Sequence, residues 1–231
     1  MYIYMVLQYK YKGCHSFQLH IAGMSKKDVK LMLSVDFSFQ KDYVLENEHA
    51  LLRPLMQEDV RHLSVFSMHE PALWEYSLQS AAGIGNLTQY VETAIAGRTA
   101  GHSYPFIIFC KKSKKYAGTT RFYDIDLLNA GCLLGYTWIG KEFQGTGLNR
   151  QCKWLLFQFA FDQCQFHRVA LRSDINNLRS IRAMEAIGCV SEGILREHIV
   201  LQDGSWRTSR LFSVLKSEWE RGLKQKLNDR C

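Results

Sequence analysis

The order of segments along the chain predicts an α/β fold in which helices flank one mixed, mostly antiparallel sheet. Three observations carry this. In the middle of the chain, strand-like runs at residues 132–139 and 168–174 alternate with helical patterns at 148–164 and 178–187, the order of a parallel pair joined by a crossover helix. On either side the strands come in pairs: residues 105–110 and 116–123 around a lysine-rich tip, and residues 189–195 and 208–215 around the Asp203-Gly204 reversal. The helix at 148–164 is apolar nearly all round, with Leu148, Cys152, Leu155, Leu156 and Phe159 on one face and Trp154, Phe157 and Phe161 on another, so it has to be covered on two sides.

Taken in order, residues 1–35 show no repeating pattern and carry further methionines at Met5, Met24 and Met32. They read as a loosely ordered N-terminal extension or a start placed upstream of the true one, leaving residues 36–231 as a single domain. A short strand is expected at 50–55 and a helix at 57–68. Glu70-Pro71 interrupts that helix, and Pro71 suits the first turn of another reaching residue 78, where its missing N–H costs nothing. Gly83 and Gly85 precede a third helix at 87–96. Lys111, Lys112, Lys114 and Lys115 around Ser113 read as a solvated hairpin tip between two strands. The final helix is polar on most faces.

The 231 residues are 47% hydrophobic and 22% charged, the balance of a globular protein with a sizeable core. No apolar run approaches the roughly 18 residues of a membrane-spanning helix, and the first residues lack the basic lead of a secretory signal. The expectation is a cytoplasmic protein with no membrane partner. The 7 cysteines have no Cys-x-x-Cys pair, which predicts reduced thiols and no zinc site. Much of the +7 net charge sits in the first 35 residues, where Lys10, Lys12, Lys26, Lys27 and Lys30 face only Asp28. The remainder is only mildly basic, which argues against nucleic acid as a partner.

Gln144-Gly145-Thr146-Gly147-Leu148-Asn149 lies between the 132–139 strand and the apolar helix. A glycine-rich turn at a helix start leaves backbone N–H groups unpaired, and the helix dipole adds partial positive charge, which together suit a phosphate or pyrophosphate. Glycine is equally what any tight strand-to-helix connection uses, so both readings stand. A second helix start, Asn177-Leu178-Arg179-Ser180, makes Asn177 a candidate N-cap. The Ser180 hydroxyl in its first turn lies either in a capping-box-like bond or beside whatever the glycine turn holds.

Five blocks together resemble the GNAT acyl-CoA-dependent N-acetyltransferases, in particular the RimJ/RimL-like branch. They are Leu134-Gly135-Tyr136-Thr137-Trp138-Ile139, then Gln144-Gly145-Thr146-Gly147, then Asn177-x-x-Ser180 with Met184 and Gly188, then Glu192-Gly193-x-Leu195-Arg196, and finally Asp203-Gly204 with Ser213 and Trp219. The resemblance implies the GNAT fold, with about seven strands in a mixed sheet flanked by helices. It implies an enzyme moving an acetyl group from acetyl-CoA to a primary amine, on a protein N-terminus or a small molecule, by direct attack on the thioester, with no metal. The cofactor-binding residues it implies are Trp138 and Ile139 beside the pantetheine arm, Gln144, Gly145, Thr146, Gly147, Leu148 and Asn149 at the pyrophosphate, and Asn177 and Ser180 lining the site. Ser180 is also the catalytic candidate, as a hydrogen-bond donor to the departing thiolate.

Asn149 stands where the family's phosphate motif usually has a small residue, Cys189 where Phe is usual, and Thr208 where Asp is common. No general base is assigned: Glu142, Asp124, Asp126, His167 and His198 read as solvated, which leaves a water chain. Trp74, Tyr76, Phe122, Tyr123 and Trp206 are candidates for an acceptor pocket. A homodimer is left open. Two other classes also stay open: a non-catalytic acyl-CoA-binding or regulatory domain on the same fold, and an RNA- or ribosome-associated protein using the lysine-rich start and hairpin tip.

Overall fold

The computed structural model describes residues 35–201 and 203–228, so all but the last residue of the expected N-terminal extension lies outside the described residues. The strands are β1 (Leu45–Glu46), β2 (Ala50–Pro54), β3 (Ser103–Cys110), β4 (Lys115–Asp126), β5 (Gly131–Ile139), β6 (Arg168–Asp174), β7 (Val190–Val200) and β8 (Trp206–Leu215). They form one 8-stranded sheet in the order β1-β2-β3-β4-β5-β6-β8-β7. Every pairing is antiparallel except β5 with β6. The strand beyond the expected seven is β1, whose two residues are too few to show an alternation.

Four longer helices accompany the sheet: α1 (Val60–His69), α2 (Ile84–Thr99), α3 (Leu148–Gln158) and α4 (Leu178–Ala186). A 3-10 turn at Gln57–Asp59 leads into α1, and fully buried Asp59 pins it to β2 by accepting from Arg53 Nη1 and Nη2 at 2.8 and 2.6 Å and from the Met56 N–H at 2.9 Å. The helix expected to run from Pro71 to residue 78 is only a 3-10 turn, Pro71–Trp74. Trp74 alone is deeply buried in that stretch, so there is no apolar stripe to extend a helix. The 148–164 helix is α-helical to Gln158 and then widens into a π turn, Phe159–Gln163, in which Phe159, Ala160 and Phe161 are all buried.

Neighbouring residues on β4 serve opposite faces. Phe122 packs toward Phe159 with ring centroids 6.1 Å apart, on the α3 side, whereas the Arg121 guanidinium lies 4.9 Å from the ring of Tyr90 on α2. The α3 side is an aromatic and aliphatic core that includes Phe106, Phe122, Leu134, Val169, Leu171 and Phe212. The α2 side carries a polar layer.

Two irregularities in β5 break the regular ladder at the middle of the sheet. Thr119 pairs with Trp138 and Arg121 with Gly135, so one β4 residue opposes Tyr136 and Thr137 together, and Tyr136 takes φ 49°. The bulge reverses the alternation beyond it. Thr137 shares a 2.7 Å hydrogen bond with Thr120, and Trp138 turns to the other side, against Trp74 (5.0 Å) and Phe66 (5.9 Å). The second irregularity is the short ladder between β5 and β6: Gly131, Cys132 and Leu133 pair with Arg168, Val169 and Ala170, and none pair beyond. Both strands continue, so a gap opens between their C-terminal ends.

The lysine-rich tip is the expected antiparallel hairpin turn, with Lys111 bound to Glu46 at 2.7 Å and Lys115 to Glu142 at 3.1 Å. The described cysteines, Cys110, Cys132, Cys152, Cys164 and Cys189, are free and buried. Burial raises the thiol pKa of the last four, consistent with small core side chains. Among the described residues no helix is long and apolar enough to cross a membrane.

Candidate functional site

Diverging parallel strands place their following loops at one end of a crevice. Here β5 leads through a 3-10 turn, Lys141–Phe143, into the glycine turn, and β6 leads into Asn177 and α4. Gly145 and Gly147 adopt φ 75° and 90°, and a Cβ added to either would meet nothing within 4 Å. Their conformation thus follows from the turn and not from crowding by neighbours. The N–H groups of Gly145, Thr146 and Gly147 find no acceptor among the described residues, and Gly147 is the N-cap of α3. This open concavity of backbone donors at a helix N-terminus fits a phosphate or pyrophosphate.

The flanking side chains brace the turn. Thr146 Oγ1 donates to the Phe143 carbonyl at 2.7 Å, and Gln144 Nε2 donates to the Ile139 carbonyl at 2.8 Å. Arg179 Nη1 donates to Gln144 Oε1 across the gap, tying the start of α4 to the turn before α3. Sequence reading passes over Arg179, although it stands inside the Asn177-x-x-Ser180 block. Asn149 is half-buried, and its Oδ1 is buried without a hydrogen-bond partner among the described residues. An amide oxygen there suits an N–H or O–H donor better than a phosphate, so the larger residue at this position offers a contact of a different kind.

At the opposite wall, Asn177 is the N-cap of α4, accepting from the Ser180 N–H at 3.0 Å. The cap is therefore made by Asn177, and the Ser180 hydroxyl has no hydrogen-bond partner among the described residues. Trp138 and Ile139 are buried at the end of β5, and Leu148 is buried under the turn. All the sequence-derived donor-site residues thus fall on the two chain segments that border the gap.

The carboxylates near the cleft already have partners. Glu142 faces Lys115, Asp124 lies 3.3 Å from Arg172 Nη2, and Asp126 accepts from the N–H groups of Leu128 and Asn129 and from the Asn129 side chain. Those bonds hold the Asp126 pKa below its ordinary value. Of the aromatic candidates, Phe122 lies in the α3-side core with no exposed surface, Trp206 is exposed, and Trp74 and Tyr123 lie on the α1 and α2 side of the sheet. Among the described residues no group of three or more His, Cys, Asp or Glu side chains is placed to hold a metal ion.

The family model of the acetyltransferase (GNAT) domain matches residues 49–190, the span that contains β5, the glycine turn, β6 and α4. The chain belongs to the GNAT acetyltransferase family. A Bacillus subtilis (strain 168) protein named "Putative ribosomal N-acetyltransferase YdaF" is 27% identical over 184 residues, covering 75% of this chain and 95% of that relative. The crystal structure of a GCN5-related N-acetyltransferase from Brucella melitensis superposes with a TM-score of 0.76 at 25% identity, over 83% of this chain and 86% of that one. A ribosomal-protein-S5-alanine acetyltransferase from Vibrio fischeri shares the fold, with a TM-score of 0.63 at 20% identity over 77% of this chain and 99% of the other.

One buried group in this acetyltransferase escapes the helical pattern of its sequence. Lys153 on α3 is 5% exposed, donates to Thr137 Oγ1 at 2.9 Å, and has no carboxylate within ion-pairing distance among the described residues. Burial lowers its pKa to about 8. Below pH 8 the lysine is protonated in the folded and unfolded chain alike, and the fold carries the full cost of the buried charge. Between about pH 8 and pH 10.5 the folded protein releases the proton first, so stability rises with pH across that window. Lys153→Met is therefore expected to gain about 1–3 kcal/mol at pH 7, with the gain shrinking above pH 8. Urea unfolding of both proteins at pH 7 and pH 9.5 checks this; a gain that does not change with pH would contradict it.

Proposed function

We propose that acetyl-CoA lies from the glycine turn into the gap between β5 and β6, and that a primary amine reaches the thioester from the α1 and α2 side of the sheet. The observation that carries this reading is the geometry of the gap. It has a cradle of unpaired backbone donors at one end, a bulged strand along one wall, and a polar layer on the opposite face of the sheet. Acetyl-CoA supplies the thioester carbonyl that the amine attacks and the thiolate that leaves.

The chain's own residues hold and polarise. Gln144, Gly145, Thr146, Gly147 and Leu148 cradle the pyrophosphate end, Asn149 meets an N–H or O–H group of the cofactor beside it, and Arg179 adds positive charge beside Gln144. Trp138 and Ile139 flank the pantetheine arm, and a backbone N–H of the bulged 136–138 run polarises the carbonyl as negative charge develops on its oxygen. Asn177 fixes the first turn of α4, which leaves the Ser180 hydroxyl free to donate to the departing thiolate. The paired state of Glu142, Asp124 and Asp126 favours water as the carrier of the amine proton. The five buried thiols suit a reducing compartment, which supports a cytoplasmic setting.

Free-thiol release from acetyl-CoA with a panel of peptides and small amines tests the reading. Binding of acetyl-CoA without release across the panel would point to the non-catalytic alternative. Ser180→Ala is expected to lower kcat about 10-fold or more with acetyl-CoA affinity within about 2-fold of the parent. Equal losses in both would reduce Ser180 to a lining residue.

A further inference from the structure

The polar layer on the α2 side of the gap carries Arg121, Arg172 and Arg207. Arg121 is 5% exposed, has no ion-pair partner among the described residues, and keeps Nη2 buried with no hydrogen bond. Its guanidinium lies 4.0 Å from the Tyr136 ring and 4.9 Å from the Tyr90 ring. Tyr136 in turn meets Tyr123 edge to face at 5.1 Å. Burial pushes the Tyr123 phenol up to about 12, while Arg172 and Arg207 are close enough to act in the opposite direction. The same two arginines, after burial itself, lower the pKa of His198.

The acids on this face do not balance these cations. Asp174 is 7% exposed and already engaged, 3.9 Å from Arg207 Nε and accepting from the Asn176 N–H at 2.9 Å. Asp124 reaches Arg172 at 3.3 Å, but its side chain is 64% exposed, so the pair is long and water-screened. Arg172 Nε and His198 Nε2 are buried without hydrogen-bond partners among the described residues. Buried donors are satisfied in nearly all folded proteins, and a buried guanidinium without a carboxylate is costly. The unpaired guanidinium donors Arg121 Nη2 and Arg172 Nε on one side of the gap therefore favour an anionic acceptor group from outside the chain.

We propose that the amine acceptor carries a carboxylate near its amine, held by the arginine layer that faces α2, with Arg172 as the principal contact. This rests on the placement of the amine on that side of the sheet. Arg172 is the arginine best suited to the task, because its bond to exposed Asp124 can be exchanged for a bidentate bond to the incoming carboxylate. Arg121, stacked behind Tyr136, supplies background positive potential.

The test measures thiol release from acetyl-CoA with matched pairs of acceptors. One pair is a free amino acid and its amide. The other is a short peptide with Glu at positions 2 and 3 and the same peptide with Gln. The expected result is a kcat/KM at least about 10-fold higher for the carboxylate form in one pair, and which pair responds separates a free amino acid from an acidic peptide terminus. Arg172→Gln is expected to bring that ratio below about 3-fold with unchanged acetyl-CoA affinity, and Arg172→Lys to restore part of it. Equal rates for both forms in both pairs, or a ratio untouched by Arg172→Gln, would overturn this inference while leaving the transferase reading intact. No release with any acceptor would overturn both.

Discussion

Gly147→Glu is expected to weaken acetyl-CoA binding by more than about 100-fold while leaving a folded protein. The position is the N-cap of α3 with φ 90°, and an added Cβ meets no atom within 4 Å, so the substitution creates no clash. The left-handed conformation costs a non-glycine residue about 1 kcal/mol. A carboxylate there is itself welcome at the positive end of the helix, which is the reason it excludes a phosphate. Two like charges about 4 Å apart at a protein surface repel by about 4 kcal/mol, well above the roughly 2.7 kcal/mol that corresponds to 100-fold in affinity. Gly147→Ala supplies the uncharged control, with a loss of only a few-fold. Titration calorimetry with acetyl-CoA reads both; near-normal affinity for the Glu variant would move the phosphate site elsewhere.

Gly118→Ala should destabilise the fold by about 3–5 kcal/mol and weaken acetyl-CoA binding as well. Gly118 pairs with Ile139 across the β4–β5 ladder, and a Cβ on it would sit 2.0 Å from the Trp138 carbonyl oxygen and 3.0 Å from Ile139 Cα. Both neighbours are backbone, so no side chain can rotate away. Relief requires β5 to move at Trp138 and Ile139, the stretch proposed to flank the pantetheine arm. Urea unfolding and acetyl-CoA titration of the same variant measure the two effects. A variant that loses stability but binds normally would show that this end of β5 does not set the donor site.

Whether a feature is legible in the sequence depends on whether it is local. β6 is readable because the apolar run Val169-Ala170-Leu171 follows charged Arg168, and the strand occupies Arg168–Asp174. Asn177 is readable as a cap because a short amide at a helix start has one favoured role, and it does accept from Ser180. The bulge is not readable, since its marker is a left-handed tyrosine, a conformation no residue-type rule assigns to Tyr136. Arg121 and Lys153 look like solvated charges in their own segments. Only the partners brought by α2 and β5 reveal that both are buried. The glycine turn is visible as a motif, whereas the Gln144–Arg179 tie depends on two loops that meet only after the sheet has formed.

The bulge at Tyr136 and Thr137 also fixes how this enzyme can change. Because it reverses the alternation of β5, removing or adding one residue there would exchange Thr137 and Trp138 between the two sides of the sheet. The hydroxyl now bound to Thr120 and Lys153 would face Trp74, and the indole would be driven into the α3 core. Variation in length is thereby barred from the centre of the molecule and left to the loops at its rim. Under the proposed site, new acceptor preferences can accumulate at that rim, in the stretch after Trp74 and in the turn between β7 and β8, without resetting the frame of the strand proposed to flank the thioester.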